Sequence, residues 1–159
     1  MRRNSRNSLS SLGSSLQPSS VTLVEVPDTG DCVILTVPRS GSALPAMRVV
    51  AGWMATCSDL PLDQLDDLNL AIETLLVGEP EAGGALTLRF YVRSGMAHVE
   101  VQGLESQSLR ANLLAGQVFK PSVEWPLDVR VFLAALVDEY DVGESCAGTF
   151  KVSLRKRIQ

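Results

Sequence analysis

The stretch that most constrains this chain is Leu62 to Val77, LDQLDDLNLAIETLLV. Leu62, Leu65, Leu68, Ile72 and Leu75 recur at intervals of three and four, which is the spacing of one stripe on an amphipathic helix. These five are the expected core positions. Beside them Asp66, Asn69, Glu73 and Val77 form a polar seam that ends on an apolar residue, and function is expected on that seam. Ser58 and Asp59 offer cap oxygens, Pro61 suits a first turn, and Asp63, Asp66 and Asp67 place negative charge at the positive end of the helix dipole. Gly78, Pro80 and the pair Gly83-Gly84 then end the helix.

The flanking segments predict the elements that this helix packs against. VTLVEV (21–26) alternates weakly, a turn follows at Pro27-Asp28-Thr29-Gly30, and Cys32 to Val37 (CVILTV) reads as a buried strand. A helix is expected from Ala43, capped by Ser42, with Leu44, Met47, Ala51 and Met54 as its core stripe and Val50 and Trp53 beside it. Trp53 and Met54 are read as core. After the central helix, Leu86–Val92 and Ala97–Val101 are strands of a hairpin that turns at Arg93-Ser94-Gly95-Met96. Residues 103–124 show no sustained period and predict an irregular segment with at most a short helix at Ser108–Leu114. Helical spacing returns over Leu127–Tyr140 through Val131, Leu133, Ala134, Val137 and Tyr140. Val142–Cys146 and Phe150–Leu154 then close the chain as a hairpin, with the basic end Arg155-Lys156-Arg157 solvated. This order predicts an α+β two-layer sandwich, with helices on one face of a mixed, mainly antiparallel sheet.

Composition sets the surroundings. At 159 residues, 45% hydrophobic and 20% charged, the prior is one domain with enough apolar material for a core. Residues 1–20 hold eight serines, Arg2, Arg3 and Arg6, no acid and three leucines, the composition of a disordered tail, so the folded domain is expected over 21–159. An arginine- and serine-rich leader without acids is also the composition of an organelle transit peptide. The tail carries +3 of a net charge of −4, which leaves −7 for the remainder. So acidic a body disfavours direct nucleic-acid binding and favours proteins with basic surfaces or small ligands. Cys32, Cys57 and Cys146 are widely spaced and His98 is the single histidine, so no metal set is predicted, and the cysteines suit a reducing compartment. No apolar run approaches the ~20 residues that cross a bilayer, and the expected location is the cytoplasm.

Three segments, in this order, resemble the bacterial anti-sigma regulatory factors of the serine-kinase type, within the histidine-kinase-like ATPase superfamily. They are PAMRVVAGWMA, LDDLNLAIETLLV, and LAALVDEYDV followed by GTFKVSLRKRI; the likeness extends over residues 33–157. The resemblance implies that family's fold, a homodimer, and two partners: a sigma factor and an anti-sigma-factor antagonist that releases it. It implies a partner-gripping role for Arg48, and Glu73 matches a glutamate that orients the attacking group. It fails at the nucleotide boxes. Val77 stands where the family has a magnesium-binding asparagine, and valine offers no oxygen to a hard cation. The segment QGLESQS supplies Gly103 but no adenine-reading aspartate, and WPLDVR replaces the glycine-rich phosphate loop.

Phosphoryl transfer depends on positioned phosphates and metal-borne charge, so the resemblance implies an anti-sigma factor without ATP hydrolysis. The alternative is an ATP- and magnesium-dependent serine/threonine kinase that phosphorylates its antagonist. Glu73 is then read as an acid at a helix rim rather than as a surviving base, and His98 as structural.

Overall fold

The computed structural model describes residues 22–25, 32–39, 43–80, 83–115, 127–146 and 148–159. The expectations for the tail 1–20, the 27–30 turn, the Ser42 cap and the loop 116–124 lie outside them. Among the described residues six strands form one sheet: β1 (Thr22–Glu25), β2 (Cys32–Pro38), β3 (Ala85–Arg93), β4 (Met96–Leu104), β5 (Glu139–Glu144) and β6 (Phe150–Arg157). Their spatial order is β1-β2-β3-β4-β6-β5. Four helices among the same residues accompany them: α1 (Ala43–Ser58), α2 (Leu62–Leu76), α3 (Gln107–Leu114) and α4 (Val129–Leu136). The molecule is α+β, as its hydrophobic periods predict.

All five neighbouring strand pairs are antiparallel, which corrects the expected mixed sheet. The connections explain this. Two helices, not one, join β2 to β3, so the chain returns to the sheet running against the strand it left, whereas a parallel neighbour requires a single crossover. β3 and β4 are joined by Ser94-Gly95, both at positive φ (54° and 72°), the backbone of a tight two-residue hairpin turn.

One face of the sheet is apolar, with Leu35, Leu88, Phe90, Val99, Val101, Phe150 and Val152 buried. Against it lie Met47, Ala51 and Met54 of α1, Leu68, Ile72 and Leu75 of α2, Leu109 of α3 and Leu133 of α4. Truncating one of these, such as Leu68→Ala, removes about 2–5 kcal/mol of stability. The other face is a polar lattice. Rows such as Thr36–Thr87–Gln102–Lys151 run across the strands, and it stays solvated as one face of an antiparallel sheet can.

Several sequence expectations are corrected in detail. The buried stripe of α2 is Gln64, Leu68, Ala71, Ile72 and Leu75, while Leu62 is exposed. At 100° per residue Leu62 lies about 120° round the helix from Leu68, outside the face the sheet covers. Trp53 stands at a similar angle from Met47 and is exposed, whereas Met54 is core as expected. Pro61 is the N-cap of α2 with no side-chain bond; Ser58 donates instead to the Met54 carbonyl at 2.7 Å.

The helix expected over Leu127–Tyr140 is shorter and begins and ends with its own devices. Asp128 caps α4, and the Val137 N–H closes the last turn on the Leu133 carbonyl at 2.9 Å. Val137 itself is extended (φ −127°, ψ 154°), and Glu139–Glu144 pair with β6. Val137 and Tyr140, three apart, fit a helix, while Tyr140 and Val142, two apart, fit one face of a strand, and pairing with β6 decides for the strand. The basic end is divided: Lys156 is tied in, donating to Asp67 at 2.9 Å and to the Leu136 carbonyl at 2.8 Å, whereas Arg157 is solvated as expected and Arg155 pairs with Glu139 at 2.5 Å on the surface.

Candidate functional site

Two arginine–glutamate clusters meet the C-terminal end of α2: one holds Arg48 and Glu73, the other includes Gly103, and the exposed Val77 belongs to neither. The first is outward. Arg48 on α1 donates from Nε to Oε1 of Glu73 on α2 at 2.8 Å, with a second contact from Nη2. Arg48 is 61% exposed and Glu73 25% exposed in their side chains. The α1–α2 hairpin creates this pair, because α2 runs back along α1 after the Asp59–Pro61 turn and brings the two residues level. Nothing in the sequence links Arg48 to Glu73; the fold makes each the other's partner. On α2 the exposed Leu70 and the C-cap Val77 lie one turn either side of Glu73, and Val49 is exposed next to Arg48, whereas exposed Trp53 lies about 140° round α1 from Arg48, on its other flank. Near the far end of α1, Trp53 and Cys57 line an open pocket of about 420 Å³ together with Val92 and Ile158.

The second cluster is inward. Arg39, just after β2, has a side chain only 4% exposed, and Glu79, three residues past the end of α2, is 2% exposed. Arg39 Nη2 donates to the Gly103 carbonyl at 2.5 Å, Nη1 lies 2.7 Å from Glu105 Oε2, and Nε lies 3.8 Å from Glu79 Oε2. Nε and Nη1 make no hydrogen bond: Nε is too far from Glu79, and Nη1, though close to Glu105, meets it as an ion pair outside hydrogen-bond geometry. Glu79 instead accepts two backbone amides, Glu105 N–H at Oε2 (2.8 Å) and Ser106 N–H at Oε1 (3.0 Å).

Gly103 is required where it stands. Its φ is +88°, and a Cβ there would come within 2.6 Å of the Ala85 carbonyl oxygen. It lies at the register shift between β4 and β6, where an irregular strand end turns its carbonyl towards Arg39. Sequence reasoning found Gly103 and missed Arg39, Glu79 and Glu105. A charged residue in a loop carries no sign of burial, and only the fold brings residues 39, 79, 84 and 103–106 together.

Among the described residues, the donor set does not fit a magnesium–nucleotide group. Val77 is 76% exposed and offers no ligand atom. Glu73 is held by Arg48, and the amides of Glu105 and Ser106 already bind a carboxylate. Of the residues in WPLDVR, Asp128 accepts from Arg130 N–H at 3.0 Å as the α4 cap; the Arg130 side chain binds the same carboxylate, holding the Asp128 pKa below the ordinary 3.8. Residues 125 and 126 lie outside the described part.

His98 lies on the solvated sheet face, stacked on Tyr91 with ring centroids 4.7 Å apart and planes within 7°. Burial lowers its pKa from the ordinary 6.5, and the nearby Arg155 charge adds to the effect. Cys32 is buried and Cys57 and Cys146 are exposed, all as free thiols.

Compared with known protein families, the chain matches no family model, and no curated protein matches it significantly.

Proposed function

We propose that this chain is a regulatory binding domain with the histidine-kinase-like ATPase fold, an anti-sigma factor that covers an alternative sigma factor through the outward face of α1 and α2. The observation that carries this reading is the company Arg48 keeps. An exposed arginine held by an ion pair, with exposed Val49 next to it and exposed Leu70 and Val77 beside its glutamate, centres a mixed charged and apolar patch on the residue type that most often anchors interfaces. The order of helices and strands supports the fold assignment, since it follows the resemblance of the three segments element by element. The acidic body suits a basic sigma surface by charge complementarity.

The mechanism is steric: the sigma factor is held with its polymerase-contacting surface covered, and an antagonist that competes for the same face releases it. The working form is a homodimer. No phosphoryl transfer is assigned, because neither a metal oxygen ligand at position 77 nor free amides at 105–106 support it.

The test is co-purification from the native cell with wild type and Arg48→Ala side by side, followed by titration calorimetry on whatever sigma factor is recovered. Arg48→Ala is expected to weaken binding by at least about 1 kcal/mol. Unchanged affinity removes Arg48 from the contact, and absence of any sigma factor or antagonist sinks the reading. Heat on titrating millimolar Mg-ATP would favour the kinase alternative.

A further inference from the structure

The inward cluster has the composition of a ligand site whose ligand belongs to the protein. Two successive backbone amides, Glu105 and Ser106, converge just ahead of α3, an arrangement that favours an anion. Arg39 supplies a buried cation with two N–H groups that lack hydrogen bonds. The backbone makes room for it: Gly84 is at φ +79°, and a Cβ there would stand 3.3 Å from Arg39 Nη2. The Glu79 carboxylate is the occupant, and its fit shows the size and charge of what the site accepts.

We infer that the start of α3, with Arg39, is an oxyanion site that the chain fills with its own Glu79, and that a free carboxylate takes the place when the Glu79 side chain is removed. The site latches the end of α2 to the β4–α3 turn, the two segments where the resemblance places nucleotide boxes. An incoming phosphate there meets a carboxylate instead of free donors. Only displacement of Glu79 exposes Arg39 and the two amides, so the site is closed for as long as α2 keeps its end against α3. Glu105, which is 43% exposed, approaches Arg39 from the solvent side and gives the cluster a second negative group at its rim.

The test is chemical rescue. Glu79→Ala deletes one methylene and one carboxylate, the atoms of acetate. The melting temperature of Glu79→Ala is measured in sodium acetate and in sodium chloride at equal ionic strength, beside wild type and the double variant Arg39→Met/Glu79→Ala. The double variant removes both charges and so leaves none buried alone. Acetate is expected to give Glu79→Ala a saturable rise of about 3–6 °C at roughly ten times its dissociation constant. Wild type, whose site is full, and the double variant, whose cation is gone, should respond to acetate no more than to chloride. If Glu79→Ala does not fold in chloride, its refolding yield on dilution into acetate or chloride is the readout. Equal effects of acetate and chloride on Glu79→Ala, in melting or refolding, overturn the inference. Sigma-factor co-purification does not enter this test, so either conclusion can fail without the other.

Discussion

Arg48–Glu73 and Arg39–Glu79 pair the same two side-chain types within one turn and a half of the same helix end, yet they differ in almost everything that follows from solvent. The outer pair is water-screened and can exchange Glu73 for another partner at little cost. The inner pair has left water, so its charges depend on each other and on the amides and carbonyl that surround them. An exposed pair is suited to recognition because it can be released; a buried one is suited to fixing a shape because it cannot.

Breaking the inner cluster gives the largest expected effect. Glu79→Ala should lower the unfolding free energy by about 2–4 kcal/mol, since it leaves the Glu105 and Ser106 amides without their acceptor and Arg39 with Glu105 as its remaining carboxylate. Urea denaturation measures this, and a loss under 1 kcal/mol would show that water already reaches Arg39. Gly103→Ala attacks the same cluster from the backbone and should cost about 1–3 kcal/mol. The strain at φ +88° and the 2.6 Å approach to a backbone oxygen cannot be relieved by turning a side chain. A neutral result by the same assay would mean that β4 re-registers at its bulge.

On the outer side, Glu73→Gln should change stability by no more than about 1 kcal/mol, with the difference shrinking as salt rises. A loss comparable to that of Glu79→Ala would erase the distinction between the two pairs. Val77→Asn should leave stability unchanged, because the side chain is exposed, and should confer no heat on titration with Mg-ATP while Glu79 holds the amides.

The smallest effect is the pH dependence from His98, outside both clusters. Its folded pKa lies below 6.5, so the unfolded chain binds the proton more readily. Its contribution to stability is therefore full above pH 6.5 and is lost as pH falls through the lower folded value. His98→Gln should flatten the stability profile between about pH 7 and pH 5. An unchanged slope in the variant would assign that dependence to other groups.

The two clusters were unequally legible in the sequence. Periodicity placed Glu73 on the outward seam of α2 because each helical residue turns by a fixed angle, and the same rule marked Leu68, Ile72 and Leu75 as core. It misplaced Leu62 and Trp53 because it counts apolar residues without knowing how wide a face the neighbouring layer covers. It extended α4 to Tyr140 because an apolar run that fits two periods is decided by a partner strand, here β6. Arg39, Glu79 and Glu105 carried no local sign at all, and their meeting depends on contacts between residues up to 66 positions apart.

By itself the sequence determined the α+β alternation, the α1–α2 hairpin, the β3–β4 turn at Ser94-Gly95 and the absence of an oxygen ligand at Val77. Each of these is local chemistry: a period, a turn residue, a side-chain type. The tertiary structure alone decided the all-antiparallel sheet, the pairing of Arg48 with Glu73 and the burial of Arg39 against Glu79. Ion pairing and desolvation depend on distances through space, and residues far apart in the chain acquire those distances only once the sheet and helices have packed.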